Sequence, residues 1–126
     1  MNERPLSPHL QVYRLPITAL LSITHRIFGV VLSLGMVIWV VLLLSVVAGE
    51  ESFVAAREVL ASPVGRAGLW LWIYVFLFHL CHGVRHLLWD AGAGFARDHL
   101  VRNAALELVA SVALLIAVLV STLALA

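Results

Sequence analysis

Two stretches of the chain, Ile27 to Ala48 and Leu108 to Ala126, contain no ionisable residue, and a third, Ala67 to Leu80, carries no charge unless His79 is protonated. The first of these is apolar on every face of a helix, which suits a segment buried or in lipid rather than one lying on a soluble surface. Crossing the hydrocarbon of a bilayer takes about 20 residues at about 1.5 Å rise each. The first run is long enough outright and the last is nearly so. The middle run becomes so if its polar end continues as helix to Asp90. The pattern predicts an all-α integral membrane protein with three transmembrane helices, at about 20–48, 67–90 and 103–125, forming one membrane-anchor domain over residues 1–126.

Between the spans the pattern changes. Gly49 should end the first helix. In Glu50 to Leu60 (EESFVAAREVL), Phe53, Ala56 and Leu60 recur at helical spacing, predicting a short amphipathic helix on the outer interface. Ser62-Pro63-Val64-Gly65 should break that helix and Ala91-Gly92-Ala93-Gly94 the second span, leaving Phe95 to Arg102 as a short polar connection. Pro5, Pro8 and Pro16 resist helix before Ile17. Trp70 and Trp72 at one end of the second span, and Trp89 at the other, match the aromatic belts of two interfaces.

Composition agrees: 63% hydrophobic and 12% charged residues do not make an ordinary soluble domain. The formal charge of +1 says little, but the placement of the eight arginines does. Arg4, Arg14 and Arg26 precede or begin the first span, and Arg85, Arg97 and Arg102 follow the core of the second. Only Arg57 and Arg66 lie between the first two spans. Positive charge marks the cytoplasmic side, so the N-terminus and the second connection are expected there. The first 16 residues lack the compact apolar core of a cleavable signal peptide, and they are not an Arg/Ser-rich transit sequence. A bacterial inner membrane protein is expected, and a processed protein of the mitochondrial inner membrane fits the same pattern. No basic face suits nucleic acid. Cys81 is the only cysteine, which leaves no intrachain disulfide and reads as a small buried hydrophobe.

Ionisable groups within a span are costly and usually functional. Residues 79 to 90, HLCHGVRHLLWD, hold several. At about 100° per residue, His79, His82, Gly83, His86 and Asp90 share one stripe, while Arg85 lies off it. His79 stands roughly 16 Å inward of Asp90 along the helix. An imidazole at that depth can bond a neighbouring helix, relay protons, bind a metal or ligate haem iron. Gly83 favours haem by giving a flat macrocycle room, and Arg85 and His86 sit at the membrane edge where propionates would lie. His82 and His86 are spaced i, i+4, but they lack a third metal ligand, and His82 reads as structural. A second group, Ser22-Ile23-Thr24-His25-Arg26, places Ser22, His25 and Arg26 on one helix face at the start of the first span. Arg26 can snorkel to head groups and Ser22 can bond its own backbone. The same residues can hold a quinone carbonyl, and Arg26 and His25 can hold haem propionates. The residue types do not choose between these.

Taken together the two groups resemble the family of cytochrome b556 subunits of succinate dehydrogenase, the larger membrane anchor of respiratory Complex II. The resemblance rests on Arg4-Pro5-Leu6-Ser7-Pro8-His9-Leu10 with Tyr13-Arg14, on Pro16-Ile17-Thr18-Ala19, and on Ser22-Ile23-Thr24-His25-Arg26 with Gly29. It continues in His79-x-x-x-Gly83-x-Arg85-His86 with Asp90, and so covers essentially the whole chain. It implies that His79 is an axial ligand of haem b and that Ser22 and Arg26 belong to a ubiquinone site. His25, His86 and Gly83 would line the haem pocket or meet its propionates. It implies a second small membrane subunit that completes the bundle and supplies the other haem ligand. Iron–sulfur and flavoprotein subunits would oxidise succinate, so this chain alone would catalyse nothing. The alternatives are the anchor of a quinol:fumarate reductase, and a haem-free subunit that uses the histidines for intramembrane transport or ion relay. His82 departs from the family's pattern.

Overall fold

A computed structural model describes residues 14–125, except for the side chains of residues 97 and 98; the arm from Arg4 to Tyr13 that carries part of the resemblance lies outside them. Four helices follow one another: α1 (Ile17–Ala48), α2 (Glu50–Ala61), α3 (Pro63–Asp90) and α4 (Arg97–Leu125). Among the described residues α1, α3 and α4 are each long and apolar enough to cross a membrane, as the uncharged runs predict. Helix α3 is the hub and packs against both α4 and α1.

The breaks between helices follow local chemistry. Gly49 takes φ +113°, a region that side chains resist, and so separates α1 from α2 within one residue. The break after α2 is tighter than expected. Only Ser62 lies outside a helix, and Pro63, Val64 and Gly65 belong to α3. Ser62 accepts the Gly65 N–H on its hydroxyl at 3.0 Å, and Pro63 fills the first helical turn, where its missing N–H is no loss. A Cβ at Gly65 would fall 2.1 Å from the Val59 carbonyl oxygen, so this turn accepts only glycine. Ser62→Ala should weaken the first turn of α3 by about 1 kcal/mol, a roughly fivefold rise in its opening. Hydrogen exchange at the Gly65 amide reads this, and an unchanged rate would show that the cap contributes nothing.

The connection before α4 also differs from expectation. Residues 97–102 are helical rather than loop, so α4 begins several residues before its apolar run. Gly92 and Gly94, both at positive φ, make the turn, and nothing after them opposes helix.

The interior is small. Leu21, Phe78 and Ala104, one from each long helix, meet with Phe28 and Leu108 around them, and Phe28 sits edge-on to Phe78 at 5.0 Å. Along the outer faces Val30, Leu34, Val37, Leu44, Val109 and Ile116 are exposed. Lipid tails are as apolar as leucine, so burying such residues gains little, and helices in a bilayer associate through close packing and polar contacts. The buried set accordingly includes His82, Arg85, Glu107 and Ser111. Several helix hydroxyls turn back on their own carbonyls, Ser33 to Gly29 at 2.9 Å and Ser121 to Ala117 at 2.7 Å, which satisfies those donors within the helix.

Candidate functional site

The polar groups converge where one end of α1 meets α3. His25, two turns into α1, stacks its ring on His79 at 3.9 Å between centroids and 16° between planes. Its other side meets His82 at 4.3 Å and 28°. His86 continues the series, with its ring 4.9 Å from that of His82, and Trp89 stands edge-on to His86 at 5.0 Å. The stripe anticipated on α3 is therefore a stack of rings, and α1 contributes one member.

Glu107 of α4 closes the far side of α3. One carboxylate oxygen accepts from His82 Nδ1 at 2.7 Å, and the other accepts from Arg85 Nη1 at 2.7 Å. All three side chains are withdrawn from the surface; the ion pair is 4% and 2% exposed at Arg85 and Glu107. The Arg85 guanidinium also lies 4.5 Å over the Trp89 ring, a cation–π contact. A carboxylate accepts only, so His82 carries its hydrogen on Nδ1. The charges of Arg85 and Glu107 cancel, and the neutral tautomer of His82 then offers a lone pair at Nε2.

This changes one expectation and gives a partner to another residue. Arg85 does not face the membrane edge, where head groups or propionates would meet it. It lies off the histidine stripe, and that direction points it at α4, where Glu107 supplies the counter-charge. His82, the residue that departs from the family's pattern, has a partner in that same carboxylate. Glu107 is not marked by the hydropathy pattern, because the uncharged run of the third span starts one residue after it. The signal was present all the same: a carboxylate inside a span demands a buried cation, and Arg85 was the arginine off the stripe.

The remaining candidates divide. His25 turns inward and is half-buried, whereas Arg26 beside it is exposed and Ser22 one turn earlier is half-buried. The three thus share a helix face without sharing an environment. Gly83 has open space where a Cβ would stand, whereas a Cβ on Gly29 of α1 would fall 3.3 Å from the His79 ring. The close approach of backbone to His79 is made at Gly29. Buried and without a hydrogen-bond partner among the described residues are His25 Nε2, His79 Nδ1, His82 Nε2 and two nitrogens of Arg85.

Such an arrangement defines a class: a three-span membrane subunit whose inner face carries several imidazoles. Comparison narrows it. Residues 1–120 match the family model described as succinate dehydrogenase/fumarate reductase transmembrane subunit. The chain is 38% identical over 119 residues to the succinate dehydrogenase cytochrome b556 subunit of Paracoccus denitrificans, covering 94% of this chain and 92% of that one. It is 36% identical over 97 residues to the subunit of the same name from Rickettsia felis, covering 75% and 73%. To the cytochrome b560 subunit of Reclinomonas americana it is 39% identical over 95 residues, covering 71% and 66%. The chain belongs to the family of succinate dehydrogenase/fumarate reductase transmembrane subunits.

Proposed function

We propose that this chain is the membrane-anchor cytochrome b subunit of a succinate:ubiquinone oxidoreductase, holding haem b with a second small membrane subunit and forming part of the quinone site. The observation that carries this reading is His79. It lies well inside a membrane-crossing helix, faces α1 rather than lipid, and has a buried ring nitrogen with no hydrogen-bond partner among the described residues. Names given to the relatives, cytochrome b556 and b560 subunits, agree with a haem protein.

The residues fit the group. Imidazole is a proper axial ligand for haem iron. Gly29 lets the backbone approach His79, and the space beside Gly83 adds room along α3. His79 would hold the iron from this chain, and His25 and His86 would face the propionates. When bound, the haem would supply a one-electron redox centre within the membrane. Arg85 holds Glu107 and His82 in place and thereby keeps α3 and α4 together on this side of the site. Ser22 and Arg26, at the start of α1, would hydrogen-bond a quinone carbonyl and stabilise the negative charge that develops on it during reduction.

Iron–sulfur and flavoprotein subunits complete the enzyme on the side where α1 begins. That side is cytoplasmic by the distribution of arginines, in a bacterial inner membrane. Succinate oxidation, rather than fumarate reduction, accords with the names of the Paracoccus and Rickettsia relatives. A reduced-minus-oxidised spectrum of the purified complex tests the haem directly: b-type bands are expected, and a featureless spectrum would exclude a cytochrome. For the quinone, Ser22→Ala and Arg26→Leu should each lower quinone reduction by about 10²-fold, the loss typical when a donor to a developing oxyanion is removed. Succinate oxidation by an artificial dye should persist. Equal loss of both activities would assign these residues to assembly instead.

A further inference from the structure

We propose, on the reading of His79 as a haem ligand, that Glu107 is a positioning residue for the haem pocket. It stands on α4, a helix that carries neither the iron ligand nor His25 or His86. It anchors His82, the ring on which His25 rests, and through those two rings it sets the plane of His79. Only the docking of α4 on α3 brings this carboxylate to the histidines.

Three rings lie in a row. His79 stacks on His25 at 3.9 Å and 16°, and His25 stacks on His82 at 4.3 Å and 28°. An imidazole turns broadly about its Cβ–Cγ bond, so something outside the residue must fix its plane. His25 Nε2 and His79 Nδ1 are buried without a hydrogen-bond partner among the described residues, so no bond at these atoms fixes their rings. His82 differs. Its Nδ1–H donates to Glu107 Oε1 at 2.7 Å, and both side chains are withdrawn from the surface. Phe78, whose ring lies within 14° of the His82 plane, adds packing to that bond.

The carboxylate is itself held. Arg85 Nη1 donates to its other oxygen at 2.7 Å, and the guanidinium lies 4.5 Å over Trp89. The anchored end of the row is therefore at α4, and the dependent end is His79. A Cβ on Gly29 would fall 3.3 Å from His79 Cε1, so the α1 backbone closes on that ring as well. His79 has little room between Gly29 and His25, and the angle at which His25 stands passes to it. Groups that orient a metal ligand typically contribute about 10- to 100-fold in affinity without touching the metal. Glu107 does this two rings away, and Arg85 cancels the charge that a lone carboxylate would bring.

The assembled complex, with its haem and partner subunits, is compared in two double variants. Arg85→Met with Glu107→Leu removes both charges together and leaves the His82 N–H without an acceptor. Arg85→Met with Glu107→Gln supplies an amide oxygen as acceptor without restoring the charge. The Glu107→Leu form should shift and broaden the low-spin ferric EPR signal, whose g values report the ligand plane. It should also lose haem to a soluble haem-binding acceptor about 10- to 100-fold faster. The Glu107→Gln form should keep the wild-type signal and rate. His82→Phe, which leaves the ion pair in place but offers no N–H to Glu107, should shift the signal as Glu107→Leu does. With His82→Phe added, the two double variants should become indistinguishable. Double variants that agree while His82 is present would overturn the proposal, as would a wild-type signal in His82→Phe or a difference that survives it. A wild-type complex without b-type haem would instead overturn the reading of His79, and this proposal with it.

Discussion

Replacing His79 with alanine in the assembled complex is expected to abolish the low-spin b-type spectrum. An axial imidazole contributes both a bond to iron and a fixed ring plane, and alanine supplies neither. Two outcomes agree with the assignment: haem absent from the purified complex, or haem retained with one protein ligand and a shifted, high-spin spectrum. The variant also removes the ring that Gly29 and His25 pack against, so co-purification of the other subunits should be checked alongside. Bands unchanged in position and intensity would remove His79 from the iron. Haem content measured on the denatured protein separates a lost cofactor from an altered one.

Breaking the pair of Arg85 and Glu107 should have the largest effect on stability. Glu107→Ala strands a guanidinium with 4% of its side chain exposed and removes the acceptor of a fully buried histidine. Removing one partner of a buried ion pair typically costs about 3–5 kcal/mol, because the remaining charge is left uncompensated. Glu107→Gln retains shape and one hydrogen bond and should cost less. The double variant Arg85→Met, Glu107→Leu should recover most of the loss, since apolar replacements of similar volume are often neutral. Unfolding in detergent or nanodiscs, followed by tryptophan fluorescence, compares these variants, and the single variants Arg85→Met and Glu107→Leu complete the four corners of a double-mutant cycle. If Glu107→Ala unfolds at the wild-type midpoint, the pair does not hold α4 to α3.

Much of this was legible in the sequence because lipid is an undiscriminating solvent. Apolar runs such as Ile27–Ala48 must be helical there, so three spans followed from length and the absence of charge. Gly49 and the Ala91–Gly94 break announced their turns through the residue types that turns need. Periodicity also put His79, His82 and His86 on one face of α3. What periodicity does not carry is rotation and register between helices. That His25 rather than Arg26 turns inward depends on how α1 lies against α3, which no local pattern encodes. The same holds for Glu107. Its partners stand 22 and 25 positions earlier, and only the docking of α4 on α3 reveals that one carboxylate serves both. The short connection expected over residues 95–102 is helical from Arg97 for a simpler reason: polar residues leave the membrane without leaving the helix.

The pair also constrains the order in which this protein can be built. Arg85 is synthesised 22 residues before the carboxylate that neutralises it. An arginine at the centre of a span costs about 2.5–3.5 kcal/mol on insertion scales; Arg85, five residues from the end of α3, costs less, but α3 entering lipid alone would still carry an uncompensated charge. Once Glu107 has emerged, the two charges can enter together. Helices α3 and α4 therefore settle as a hairpin, and the Gly92–Gly94 turn that joins them sets how soon the second arrives to complete the first.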